Sequence, residues 1–292
     1  YKRQGQGSTF WFEMQVGTVS EDEIVVQAPV APVRSIRPLR ILVAEDNRTN
    51  QMVIAQILKQ DGHEAVMVEN GDLAVEALLQ ETFDLVLMDL NMPVMNGLDA
   101  AKFYAFAMVG QDRVPVIALT ADATAQAAEK CRAAGMVDCL NKPIEPQALL
   151  DAVAQYALKG APVAAASTQA TPDEAPVSAE PIDPRALSDL EKLGGKTFVS
   201  EIVAQFISDA ALVLQNLGAA VQAQDVVGFR DHAHALRSCA ANVGAQAVYR
   251  RCLDLRDIDE GELARAGLSH VRALERDFAS ACGILRPLVQ AA

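Results

Sequence analysis

Aromatic residues are scarce. One Trp, four Tyr and nine Phe make up 5% of the chain. That argues against a β-sandwich and, with alanine abundant, for helices and small-residue packing. The five cysteines, Cys131, Cys139, Cys239, Cys252 and Cys282, are odd in number and contain no Cys-x-x-Cys pair. A disulfide framework and a zinc site are thereby set aside, leaving buried free thiols in a reducing compartment. No run of about 18 or more uncharged apolar residues exists, so no membrane-spanning helix is expected. No apolar stretch follows the opening Tyr1-Lys2-Arg3-Gln4-Gly5, so no signal peptide is expected either. Basic charge is also short, at 25 Lys and Arg against 38 Asp and Glu. Neither half carries the basic footprint of a nucleic-acid binder. No catalytic triad, nucleotide loop or metal-hydrolase spacing is visible, which leaves little room for an independent enzyme.

What is present suits two domains, since 292 residues exceed one ordinary domain. The acidity is uneven. Residues 40–156 hold 8 Lys and Arg against 17 Asp and Glu, whereas residues 183–290 hold 12 against 14. An acidic first domain suits divalent cations. Two composition breaks separate the parts. Residues 17–38 lack periodicity, and residues 159–182 are rich in Ala, Pro, Ser and Thr, the composition of a semi-extended linker.

Between the breaks, strand and helix signals alternate. Apolar runs at 41–44, 65–68, 85–88, 114–119 and 137–140 read as strands. Helical periods follow at 49–60, 72–80, 98–109, 124–134 and 145–156. This alternation predicts an α/β, doubly wound (βα)5 fold of flavodoxin-like type, with a parallel sheet covered on both faces, over residues 39–158. Beyond the second break the signals are helical only. Pro184 opens a short helix behind Asp183, and longer ones are expected at 196–220, 225–243, 246–255 and 262–288. Residues 183–290 thus read as an all-α helical bundle.

In a doubly wound sheet the functional groups gather at the carboxyl ends of the strands. Glu45 and Asp46 follow the first strand, Asp89 the third, Thr120 the fourth, and Lys142-Pro143 the fifth. Three carboxylates, a hydroxyl and an ammonium would therefore share one pocket. Clustered carboxylates repel unless a cation joins them, and a hard ion with oxygen ligands, Mg²⁺, answers that need. Asp89 can then act as a nucleophile toward a phosphoryl group, with Lys142 and Mg²⁺ offsetting charge on the transferring oxygens. Any one of these residues alone would be ordinary surface; their joint spacing is what carries the reading.

The blocks Ile41-Leu-Val-Ala-Glu-Asp-Asn47, Asp84-Leu-Val-Leu-Met-Asp-Leu-Asn-Met-Pro-Val-Met-Asn-Gly97, Ala118-Leu-Thr-Ala-Asp-Ala123 and Asn141-Lys-Pro-Ile144 resemble response-regulator receiver domains, especially those attached to hybrid sensor kinases. The resemblance implies Asp89 as phosphoacceptor. It implies Mg²⁺ held by Asp46, Asp89 and the Asn91 backbone carbonyl, with Glu45 acting through water. It implies Thr120 as a switch hydroxyl and Lys142 as a phosphoryl contact. One position departs: Cys139 stands where many receivers carry an aromatic switch residue.

The second domain carries His234-Ala-Leu-Arg-Ser-Cys-Ala-Ala-Asn-Val-Gly244. Helical spacing places Arg237, Ser238 and Ala241 on the face of His234 and puts His232 on another. Arg237 can neutralise a phosphoryl group, Ser238 is small enough for close approach, and Gly244 can end the helix. This is similar to the histidine-phosphotransfer family, with Arg237 and Ser238 in place of its Lys and Gly. The resemblance implies phosphotransfer at His234, expected to be solvent-accessible. On the first receiver helix, Val53, Ile54, Ile57 and Leu58 should be buried, and the separate stripe of Thr49, Met52 and Gln56 should meet the helix carrying His234.

Gly5-Gln6-Gly7-Ser8-Thr9-Phe10-Trp11-Phe12-Glu13 resembles the last glycine-rich box of a histidine-kinase ATP-binding domain. Residues 1–16 are accordingly expected to be its remnant, without ATP binding or autophosphorylation of their own. The residues around Ala118–Pro143 and His232–Ala245 resemble the sensor kinases for diffusible fatty-acid signals. The expectation is a cytoplasmic phosphorelay in which a kinase core of the same parent passes a phosphoryl group to Asp89, then to His234, then to the receiver of a downstream response regulator. The alternative is a receiver that sequesters a partner enzyme, with phosphorylation controlling its release. An apolar receiver patch left uncovered by the second domain would favour that alternative.

Overall fold

Five short apolar runs alternating with amphipathic helices bury their side chains as a parallel sheet covered on both faces. The computed structural model, which describes residues 37–121, 124–157 and 181–290, has this architecture. The strands are β1 (Arg40–Ala44), β2 (Glu64–Val68), β3 (Leu85–Asp89), β4 (Val116–Thr120) and β5 (Asp138–Asn141). The helices between and after them are α1 (Arg48–Gln60), α2 (Gly71–Gln80), α3 (Gly97–Ala107), α4 (Ala125–Ala133) and α5 (Pro146–Ala157). The strands lie in the order β2-β1-β3-β4-β5, every pair parallel.

The two-residue period of a strand divides the core. Ile41, Val43, Leu85, Leu87, Ile117 and Leu119 point to the face covered by α1 and α5. Leu42, Ala44, Val86, Met88, Val116 and Ala118 point to the face covered by α2, α3 and α4. As expected, α1 buries Val53, Ile54, Ile57 and Leu58. Side chains at the helix starts set the strand-to-helix turns: Asn47, Asn70, Asn96 and Thr124 each accept an amide three residues on. Gly97 has a different task. A Cβ there would stand 2.1 Å from the Asp89 carbonyl oxygen, so only glycine lets the loop close under the end of β3.

The helical region comprises α6 (Pro184–Ala223), α7 (Val226–Asn242), α8 (Gln246–Asp254) and α9 (Glu260–Gln290). Helix α6 packs on α7 and α9, and α8 bridges the same two. Phe206 meets Phe278 edge to face at 5.9 Å inside the bundle. Length and composition would let α6 cross a membrane, although charged residues interrupt its apolar sequence. Here it turns Phe198, Ile202, Val203, Phe206, Ala210 and Leu217 into the core.

The short helix expected at Pro184 and the long one expected from 196 are continuous, broken only at Gly195, whose φ of 75° and ψ of −177° are not helical. Glycine tolerates that conformation, so the chain kinks without a loop. The bundle also begins before residue 183. Ile182 is buried in its core, and the Pro181 carbonyl accepts the Gln246 amide. The expected kinase remnant (1–16) lies outside the described residues, as do the two linkers (17–38 and 159–182) apart from their edges at 37–38 and 181–182.

Two glycines test this account by urea unfolding. Gly97→Ala should lower stability by about 1–3 kcal/mol, because the loop has no room for a Cβ. Gly218→Ala lies inside α6 with nothing within 4 Å of the new Cβ. It should raise stability by about 0.5–1 kcal/mol through lost backbone freedom in the unfolded chain.

Candidate functional site

The ends of β1, β3, β4 and β5 converge as the sheet topology requires, and they bring the acidic residues together. Oxygens of Glu45, Asp46 and Asp89 lie within 4.8 Å of one another. The Lys142 Nζ stands between two of them, 2.6 Å from Glu45 Oε2 and 2.8 Å from Asp89 Oδ2. Thr120 is buried at the end of β4, and its carbonyl accepts the Lys142 amide at 2.7 Å. The Asn91 amide donates to Asp89 Oδ1 at 3.3 Å. Cys139 is half-buried, pairs with Ala118 in the sheet and packs against the core on the α4 side.

The electrostatics follow from three carboxylates facing one ammonium. Burial pushes Glu45 up to about 7, and Asp89 adds to the effect, against Lys142 and Asn50. Asp46 is pushed up to about 6 by burial and by Asp89. Burial works against the Lys142 ammonium, but Glu45 and Asp89 outweigh it and hold its pKa above the usual lysine value. A partly buried, all-oxygen donor set with excess negative charge fits a small hard divalent cation.

The helical domain lies against this pocket. The side-chain amide of Asn91, two residues after Asp89, is 3.2 Å from His234 Nε2. On the other ring nitrogen, Arg237 Nη2 is 3.2 Å from Nδ1. His234 was expected to be solvent-accessible; instead it is half-buried, because the receiver covers it. Its pKa is pushed down to about 4, by burial first and then by Arg237 and Lys142, with Asp89 pulling the other way. The imidazole is therefore neutral at pH 7 and has a nitrogen lone pair to offer.

Asn50 was not singled out from the sequence, yet it joins the two domains. Its side-chain nitrogen donates to Glu45 Oε1 at 2.7 Å and to Ser238 Oγ at 2.9 Å. Its oxygen accepts from Asn242 Nδ2 at 2.7 Å. The α1 stripe of Thr49, Met52 and Gln56 was expected to meet the helix of His234, but its hydrogen bonds go to α6 instead. Asn50 meets α7, the helix of His234, but Thr49 donates to Asp209 on α6 at 3.1 Å, and Gln56 donates to the Leu193 carbonyl, also on α6. Met52 packs against the shared apolar core. No short-range pattern marks Asp209 or the Leu193 carbonyl, because each gains its role only when the domains meet.

Comparison with known proteins agrees with this division. Residues 41–154 match the family described as response regulator receiver domain, and residues 201–280 match the Hpt domain. The sensory/regulatory protein RpfC of Xanthomonas campestris pv. campestris is 32% identical over 274 residues, covering 85% of this chain and 37% of that protein. The sensor histidine kinase AruS of Pseudomonas aeruginosa is 27% identical, over 97% of this chain and 26% of its own length. The virulence sensor protein BvgS of Bordetella bronchiseptica is 30% identical, over 88% of this chain and 22% of its own length. This chain thus spans little more than a third of these curated relatives at most. A solved structure, the receiver domain of sensor histidine kinase PA1611 from Pseudomonas aeruginosa with a magnesium ion in its active-site cleft, is 36% identical. It covers 41% of this chain and 98% of that one, with a TM-score of 0.38. The chain carries a receiver domain followed by an Hpt domain.

Asn50→Ala strips partners from Glu45, Ser238 and Asn242 at once. It should lower stability by about 1–3 kcal/mol, read as a drop in the thermal midpoint of the full chain. An unchanged midpoint would mean that these bonds add nothing net to docking.

Proposed function

We propose that this chain forms two successive stations of a phosphorelay, with Asp89 accepting a phosphoryl group from a kinase histidine and His234 taking it from Asp89. A receiver on a separate response regulator would then take it from His234. One observation carries the reading: the pocket of Asp89 and the ring of His234 face each other across a single interface, with Asn91 touching both.

In the first step an Asp89 carboxylate oxygen attacks phosphorus while the donor's phosphorus–nitrogen bond breaks, returning the donor imidazole. The carboxylates of Glu45, Asp46 and Asp89, with the Asn91 carbonyl, would hold Mg²⁺, Glu45 acting through water. When bound, the ion would offset negative charge on the transferring oxygens. Lys142 leaves its pairing with Asp89 to meet a phosphoryl oxygen, and Thr120 donates a hydrogen bond to another. In the second step a ring nitrogen of His234 attacks in line, and the bond from phosphorus to Asp89 breaks. Arg237 Nη2 and Asn91 Nδ2 are both donors, one at each ring nitrogen, so a neutral ring can accept from only one of them. Attack by Nε2 requires its lone pair: the hydrogen then sits on Nδ1, Asn91 withdraws, and Arg237 turns from Nδ1 and brings its charge to the phosphoryl group. Ser238 keeps the approach open.

The kinase core of a longer parent protein and a downstream receiver are the partners this reading requires. A cytoplasmic setting belongs to the same proposal, and five free cysteines suit it. The reading in which the receiver sequesters an enzyme has less to stand on. Helix α3 leaves Phe103 and Phe106 exposed, as is Val109 just beyond it, but nothing shows what would cover them.

Mg²⁺ and a small phosphodonor provide the test. The full chain should acquire a base-labile label on Asp89 and then an acid-labile one on His234. Asp89→Asn should lose both, and His234→Gln only the second; a label persisting in Asp89→Asn would defeat the assignment. Asp46→Ala should weaken Mg²⁺ binding at least about tenfold, since one of the charged ligands is gone. A calorimetric titration showing unchanged affinity would remove Asp46 from the metal site.

A further inference from the structure

We infer that Gln56 and Gln60 clamp the carbonyl of Leu193, and that this clamp holds the chain's own receiver on its own Hpt face in preference to other receivers. The carbonyl is on offer because α6 is broken just beyond it. Gly195, at φ 75° and ψ −177°, cannot continue the helical ladder, so carbonyls of the preceding turn need partners from elsewhere. The break is built into the sequence. A Cβ at Gly194 would collide with the Phe198 side chain, and Gly195 occupies the left-handed φ that favours glycine.

The receiver supplies the partners. Gln56 Nε2 donates to Leu193 O at 3.1 Å, and Gln60 Nε2 donates to the same oxygen. The two glutamines are four residues apart, hence on one face of α1 and one turn from each other. They read backbone rather than side chain, so what they recognise is the position of the break. A receiver without two amides at this spacing, or an Hpt domain whose helix runs on unbroken, forfeits both bonds. Gln60 lies about 16 Å along α1 from Thr49, at the end remote from the phosphoryl chemistry. The clamp therefore acts on affinity and leaves the transfer step alone. It also has a cost: while the chain's own receiver is clamped, the face of α7 around His234 is closed to any other receiver.

This inference rests on the relay reading only for its kinetic readout. Two full chains are mixed: a His234→Gln chain phosphorylated at Asp89 as donor, and an Asp89→Asn chain offering His234 as acceptor. Gln56→Glu with Gln60→Glu keeps side-chain length but removes the amide hydrogens. In the acceptor, the pair should speed transfer from an intact donor about tenfold, because its own receiver lets go. In the donor, the pair weakens docking on its own Hpt face and on the acceptor's alike, so the rate should change much less. An unchanged or lower rate in the acceptor arm would overturn the clamp. Solution scattering of the full chain, carrying only the two glutamine substitutions, reads docking without chemistry. The radius of gyration should increase, and an unchanged profile would overturn the clamp. Should label on Asp89 never reach His234 in a chain with both residues intact, the relay reading fails and the scattering result alone decides the clamp.

Discussion

Three carboxylates held at the ends of two adjacent strands are the constraint around which this molecule is arranged. Glu45, Asp46 and Asp89 cannot sit within 4.8 Å of one another without compensation. Lys142 provides part of it by bridging Glu45 and Asp89. That bridge ties the end of β5 to β1 and β3. Gly97 draws the loop after Asp89 tight beneath the pocket, and Asn47 turns the chain after Asp46 into α1. The pocket still has more negative than positive charge, which suits it to a divalent cation and an incoming phosphoryl group together.

The same pocket organises the second domain. Asn50 bonds to Glu45 inside the receiver and to Ser238 and Asn242 outside it, so one side chain connects the acidic cluster with the docking face. Around it, polar bonds fix the register over a shared apolar core: Thr49 with Asp209, Asn91 with His234, two glutamines with one carbonyl. Each such bond contributes modestly, because water would satisfy the same groups in the open state. An interface of this kind can be specific in register and still release, as a domain that must serve more than one partner requires. Burial first, then Arg237, push the pKa of His234 down to about 4, and Lys142 adds to the effect.

Much of this was legible in the sequence, for physical reasons. The strands are short apolar runs buried on both faces, and parallel strands place their carboxyl ends together. Glu45, Asp46, Asp89, Thr120 and Lys142 could therefore be gathered from spacing alone. His234 stood out because Arg237 and Ser238 follow it at helical spacing. The short helix from Pro184 and the long one from 196 were expected as separate elements, because a kink and a loop leave the same local signal. Asn50, Asp209 and the Leu193 carbonyl escaped notice for a different reason. Their partners lie more than 100 residues away in another domain, and no periodicity within a helix reports such a contact. The expected exposure of His234 failed likewise, being a property of one domain considered without the other.

The central claim is that the receiver and Hpt domains of a single chain meet productively. The rate at which label moves from Asp89 to His234, measured over a hundredfold range of chain concentration, tests it directly. Transfer within the chain predicts a first-order rate that does not change with concentration. A rate rising in proportion to concentration, or label that never leaves Asp89, would contradict it.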